Sequence, residues 1–177
     1  MEEPVRANDA PVTAGPGGVG SFEDFYRAQA DRVYRALAVT LGNPHLAREA
    51  TDEAMARACA HWRRVSQLDN PGGWAYRVGL NWATSWWRKV GRERPEPDPR
   101  IDLPGPEASD PASATAALHA LSSLPTAFRA VVVCRVLLDL SVVQTAALLE
   151  VSEGTVKSRL ARALAALRTA LTEEERP

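Results

Sequence analysis

The sequence predicts an all-α protein built of two small helical domains, and three observations carry that prediction. Apolar residues recur at three- and four-residue intervals through most of the chain, the signature of helices with one buried face. Ser21, Asn43-Pro44, Asn70-Pro71, Pro125 and Ser152 punctuate that pattern where helices would begin. Between Gly91 and Ser113 lie six prolines and six carboxylates, which cannot sustain a helix and read as a flexible, Pro-rich, acidic linker. The division that follows is a disordered tail over 1–20, a three- to four-helix domain over 21–90, a linker over 91–113, a second domain over 114–171, and a frayed tail over 172–177.

In the first domain, Phe22, Phe25, Tyr26, Val33, Leu37 and Leu41 trace the apolar stripe of a helix that Ser21 opens and Gly42 stops. A second helix, from Pro44 to about Arg64, turns Leu46, Ala50, Ala54, Ala58 and Trp62 inward. Asp52, Glu53, Met55, Ala56 and Arg57 fall on or beside its other side. A third, Gly72 to Val90, holds four of the five tryptophans among Arg77, Arg88 and Lys89. Trp74, Val78 and Trp82 suffice for one core-facing stripe, leaving some of Tyr76, Trp86 and Trp87 near the surface among cations. Rings interleaved with cations suit unpaired bases. They equally suit the core and rim of a small helical domain, since large aromatics mostly fill cores.

The second domain begins with a helix over Ala114–Ser122 and another over about Thr126–Leu138. It ends in two amphipathic segments, Val142–Leu149 and a longer one opened by Ser152. Val156, Leu160, Leu164, Leu167 and Leu171 form one stripe of the last helix, while Thr155, Ser158, Arg159 and Arg162 fall on another face, with Lys157 beside it. Such a helix can pack on its own domain and lay its cationic side in a DNA major groove. A helical hairpin with a solvated basic face has the same periodicity, and the pattern alone does not choose.

Composition narrows the alternatives. The 177 residues carry 21 Lys and Arg against 22 Asp and Glu, a formal charge of −1, but the balance is uneven. Between Gly20 and Arg94 there are 12 basic against 8 acidic residues, whereas Pro95–Thr115 has 1 against 5. Two cationic modules joined by an anionic strap are thus concealed in a neutral total. No apolar run is long enough to span a bilayer and no signal-peptide pattern is present, so a cytoplasmic location without membrane insertion is expected. Cys59 and Cys134 lie in apolar helical stretches and are expected to be buried free thiols. His45, His61 and His119 show no metal spacing, no nucleotide or nucleophile motif is present, and neither catalytic residues nor a cofactor is expected.

With both domains placed, the chain resembles the extracytoplasmic-function (ECF) RNA polymerase sigma factors of the sigma-70 superfamily. Glu153-Gly154-Thr155-Val156-Lys157-Ser158-Arg159-Leu160 is nearly a signature of that family's region 4, and Leu124-Pro125 and Leu140-Ser141 keep the expected spacing before it. Trp74, Tyr76, Arg77, Val78, Asn81 and Ala83, ending in Arg88-Lys89, match the region 2 run for the −10 promoter element. Arg48 to Ala54 occupies the place of the polymerase-binding helix. The chain departs from the pattern at Glu150, where glycine is common, at Asp52, where Gln is common, and at Ser85, where Asp is common. A side chain at position 150 calls for a left-handed conformation or an altered turn, at about 1 kcal/mol.

The resemblance implies a non-enzymatic specificity subunit that binds the polymerase core, through its beta and beta-prime subunits, and directs initiation at promoter DNA. Polymerase contact would fall to Asp52, Glu53, Met55 and Arg57. The −10 element would meet Tyr76, Arg77, Asn81, Thr84, Ser85, Arg88 and Lys89. The −35 element would meet Ser152, Glu153, Thr155, Lys157, Ser158, Arg159 and Arg162. An anti-sigma partner is expected, and the acidic linker would thread through the polymerase near the RNA exit path. The competing expectation is a conventional helix-turn-helix regulator that binds DNA on its own; a helical adaptor or a helical enzyme fits less of the sequence.

Overall fold

The computed structural model describes residues 20–90 and 111–174; nearly all of the predicted N-terminal tail and most of the predicted linker lie outside them, whereas α8 runs on through 172–174, which were expected to be frayed. Four helices form the first lobe: α1 (Phe22–Leu41), α2 (Pro44–Ala60), the single turn α3 (Trp62–Val65) and α4 (Pro71–Val90). The second lobe contains α5 (Pro111–Ser122), α6 (Thr126–Val132) running on into a π-helical turn (Val133–Leu137), α7 (Val142–Leu149) and α8 (Glu153–Glu174). No strand occurs among the described residues.

Local chemistry explains the boundaries. Ser21, Asn43, Asn70 and Ser152 each accept a backbone N–H from three residues on, at 3.3, 2.9, 2.7 and 3.1 Å, satisfying donors that the helix start leaves over. Gly42 ends α1 in the left-handed conformation at φ 66°. Ser141 and Gln144 form a reciprocal capping box at α7. Glu150 ends α7 at φ 56°, so the left-handed alternative expected for that position is the one adopted.

Several sequence expectations are corrected. The second helix stops at Ala60 rather than near Arg64, and the break at His61 brings Trp62 against Phe22 and Phe25, with ring centroids 5.7 and 5.0 Å apart. The helix predicted from Ala114 begins at Pro111, a residue suited to a first turn. The helix predicted to reach Leu138 widens into the π-turn, and Asp139 follows at φ 52°. That reversal turns both Leu138 and Leu140 into the core. Cys134 is buried as expected, but Cys59 is exposed near the end of α2.

The core of the first lobe also sits on an unexpected side of α4. Ala75, Tyr76 and Ala83 are fully buried, whereas Trp74, Val78 and Trp82 pack around the rim. Gly79 explains this: a Cβ there would lie 2.7 Å from Leu37 Cδ1 and 2.9 Å from the Ala50 carbonyl oxygen. A glycine and two alanines let α4 press closely on α1 and α2, so the narrow face is deepest. In α8 the inward stripe is Val156, Leu160, Ala163 and Leu167, and Leu164 is partly exposed.

The lobes are packed together. The largest apolar cluster joins Val133, Cys134, Leu138 and Leu140 of the second lobe to α1, α2 and α4. Arg129, only 7% exposed, donates to the carbonyl of Thr40 in α1 and to those of Ser122 and Leu124, at 2.8–2.9 Å. Its charge thereby meets the carbonyl-rich ends of α1 and α5, the favourable pole for a cation, while burial lowers its pKa. Arg32 of α1 reaches back to the Leu137 carbonyl, with Nη2 at 3.0 Å.

Candidate nucleic-acid interface

The two candidate reading helices, α4 and α8, stand in opposite states. The start of α8 is open. Ser152, Glu153, Lys157, Ser158 and Arg162 are exposed, and Thr155 and Arg159 half-buried, along the side opposite Val156 and Ala163. Ser152 caps the Thr155 amide and its hydroxyl lies 2.8 Å from that of Thr155, which orders the first turn. Lys157 and Glu153 are 4.0 Å apart on solvated side chains, a contact too weak and screened to hold the lysine from an anion. Of the seven α8 candidates, five are thus exposed and two half-buried around the first three turns of the helix. Hydroxyls and cations around a helix start are suited to phosphates, with Lys and Arg able to reach guanine edges.

On α4 the candidates are dispersed. Asn81 is exposed, and Thr84 and Ser85 are half-buried on the same helix, the Thr84 hydroxyl donating to the Leu80 and Asn81 carbonyls. Trp86 is 38% exposed, so one of the aromatics expected near the surface does reach it. The side chains of Trp87, Arg88 and Lys89 lie outside the described residues. Tyr76 does not face solvent. It has no exposed area, its hydroxyl is 2.8 Å from the Thr40 hydroxyl, and it shares the largest apolar cluster with Cys134 of the second lobe. Burial raises its pKa well above the ordinary phenol value, and it raises the Cys134 thiol to about 12. Arg77 is ion-paired with Glu150 at the turn between α7 and α8. Tyr76 and Arg77 are thus engaged across the lobes, a long-range contact that no local periodicity contains.

The third group lies on α2. Asp52 and Arg57 are exposed and Glu53 half-buried, with Arg57 Nε 2.7 Å from Glu53 Oε1. Met55 departs from expectation, being only 3% exposed. Because α2 is clasped by α1 on one side and α4 on the other, its buried arc widens from Ala54 and Ala58 to take in Met55. Sequence reasoning missed the contact of Arg48 with Tyr34, its guanidinium 4.0 Å from the ring centroid, and the two inter-lobe arginines, Arg32 and Arg129. Arg129 alone carried a signal: a single cation within Phe128–Val133 must find buried acceptors.

Among the described residues no helix is long and apolar enough to cross a membrane. Residues 25–93 match the family model for sigma-70 region 2, and residues 114–167 match that for sigma-70, region 4. The chain is 32% identical over 160 residues to an RNA polymerase sigma-E factor of Streptomyces coelicolor, covering 90% of each. It is 33% identical over 183 residues to the ECF RNA polymerase sigma factor SigE of Mycolicibacterium smegmatis, across 97% of this chain and 70% of that one. In fold it is similar to the sigma factor RpoE of Bartonella quintana, solved in complex with the anti-sigma factor NepR. That match has a TM-score of 0.71 at 20% identity and covers 85% of this chain and 96% of RpoE. Both halves of the chain match in the same order, which leaves the conventional-regulator alternative without an unassigned first domain to explain. The chain belongs to the sigma-70 superfamily of RNA polymerase sigma factors, in its extracytoplasmic-function group.

Proposed function

We propose that this sigma factor binds the polymerase core in the cytoplasm through the exposed edge of α2, with Asp52, Glu53 and Arg57 as its polar contacts. It then sets α4 on the −10 element and α8 on the −35 element. Residues 21–90 act as the core-binding and −10 module, 114–171 as the −35 module, and 91–113 as the tether. The observation that carries this reading is the open, capped start of α8, with its hydroxyls and cations on one face, inside the region 4 match. At the −10 element the work is a binding equilibrium: holding an unstacked base costs a few kcal/mol, returned by stacking and by hydrogen bonds to its exposed edge. No bond of the DNA is made or broken, and the protein needs neither cofactor nor catalytic residue. An anti-sigma partner is part of the same reading, supported by the RpoE fold having been captured with one.

The experiment adds the purified chain to polymerase core on genomic fragments and reads run-off transcripts. Discrete new start sites that depend on the chain are expected. Tight, site-specific binding of duplex DNA by the free chain, with no transcripts and no association with core, would establish a conventional regulator instead.

A further inference from the structure

We infer that Tyr34 of α1 is a positioning residue for polymerase docking: its ring holds Arg48 aside from Asp52 and so keeps the Asp52 carboxylate free for a cation of the polymerase. The inference rests on the functional reading above and adds to it a residue that lies outside α2.

The exposed edge of α2 carries two couples of opposite charge at the same spacing, one closed and one open. Glu53 and Arg57 stand one helical turn apart and meet, with Arg57 Nε 2.7 Å from Glu53 Oε1. Arg48 and Asp52 stand at the same separation, both exposed, a spacing that sets side chains next to each other on a helix surface. They do not pair. Arg48 turns across to α1 instead, where its guanidinium carbon lies 4.0 Å from the centre of the Tyr34 ring. Among the described residues neither Arg48 nor Asp52 has an ion-pair partner.

The difference between the couples has a physical cause. In Glu53–Arg57 the acid precedes the base, the order that agrees with the helix dipole. In Arg48–Asp52 the order is reversed and the pull is weaker. A cation over an aromatic face gains at least as much at an exposed site as a helix pair of this kind. Tyr34 is half-buried and packed on the first-lobe core, so its ring is a platform already in place. Both partners belong to the first lobe, and the contact needs nothing from the seam between the lobes, where Cys134 is buried. The consequence falls on Asp52. A carboxylate paired with its neighbour must release that pair before it meets a cation of another protein, and Asp52 has no pair to release.

Association of the full chain with polymerase core, in the absence of DNA, tests this. Tyr34→Leu keeps an apolar side chain but removes the ring face, which frees Arg48 to reach Asp52. It should weaken association roughly two- to three-fold, the scale of an exposed cation–ring contact. Tyr34→Phe keeps the ring and should bind as the parent does. Arg48→Gln removes the competing cation: alone it should bind no more weakly than the parent, and in the Tyr34→Leu background it should restore parental affinity. That rescue separates positioning from folding, since Arg48→Gln cannot repair a lobe damaged by Tyr34→Leu. The ring-current shift of the Arg48 side-chain protons should persist in Tyr34→Phe and vanish in Tyr34→Leu. Equal affinity of the parent and Tyr34→Leu, or a deficit that Arg48→Gln leaves in place, would overturn the inference. So would a loss on Arg48→Gln alone, which would make Arg48 itself the contact. Asp52→Asn keeps the two readings apart: if it weakens association while Tyr34→Leu does not, only the positioning role falls. If the parent fails to bind core, or Asp52→Asn binds as tightly as the parent, the docking assignment of Asp52 falls and the positioning role with it.

Discussion

The helices α4 and α8 are built to the same plan and lie in opposite circumstances. Each opens on a side-chain cap, Asn70 in one and Ser152 in the other, and each carries polar and cationic residues beside an apolar stripe. Yet α8 turns its polar face to solvent, while α4 has Tyr76 sealed under Cys134 and Arg77 tied to Glu150. The contrast teaches that periodicity identifies which residues share a face but not what that face meets. On α8 the partner of the apolar stripe is the rest of its own lobe. On α4 two surfaces compete for burial, one set by the close approach at Gly79 and the other by a lobe more than fifty residues away in sequence.

The largest effect should come from disturbing that close approach. Gly79→Val places branched carbon where the Ala50 carbonyl and Leu37 already stand. The backbone oxygen cannot move aside, so the first lobe should lose about 3 kcal/mol, read as a lowered denaturation midpoint. No position on the polar face of α8 should approach this. There, Arg159→Ala should leave the melting profile within about 0.5 kcal/mol of the parent. It should weaken transcription from −35-dependent promoters by roughly ten-fold or more, the loss of about 1–3 kcal/mol for one base or phosphate contact, with core binding intact. An equal loss of core binding would mean that Arg159 supports the fold and that the contrast between the helices is mistaken.

Much of the architecture was legible because it is local. Ser21, Asn43 and Ser152 announced helices that begin where those caps stand, and Glu150 announced a strained turn that is indeed left-handed. The polar face of α8 could be read for the same reason, since Ser152 to Arg162 spans only three turns. What escaped was non-local. Met55 looked like part of a contact face because its burial depends on α1 and α4 gripping α2 from both sides. Tyr76 looked available because the groups it is buried among, Thr40 of α1 and Cys134 beyond the linker, lie far from it in sequence. The π-turn and Asp139 carried no glycine or proline to mark them.

A smaller effect separates the lobes by pH. Burial raises the Cys134 thiol from an ordinary value near 9 to about 12, and it raises Tyr76 as well. Below pH 9 the thiol is protonated whether the seam is closed or open, so its protonation contributes no pH dependence there. Between 9 and 12 the open form sheds a proton that the closed form keeps, so closure weakens as pH rises, by roughly 1 kcal/mol at pH 10. The Cys134 labelling rate, corrected for the reagent's own pH dependence, should therefore climb over this window. Labels on the open face of α8 should show no such change. A flat corrected rate would mean that the thiol is shielded within its own lobe and reports nothing of α4.

The smallest predicted effect is the counterpart of Gly79 on the other helix. Gly154 stands in the first turn of α8, where an added Cβ would meet nothing nearer than Ser152 Oγ at 3.8 Å. Gly154→Ala should therefore stabilise the free chain by about 0.5 kcal/mol through lower backbone freedom in the unfolded state. The same methyl points from a turn proposed to lie against DNA phosphates, where close approach matters more than helix propensity. Stability and −35 affinity should then move in opposite directions, the midpoint rising slightly while DNA binding in the holoenzyme falls. If both rise together, the start of α8 stands clear of the DNA backbone, and contact must be made further along, at Arg159 and Arg162.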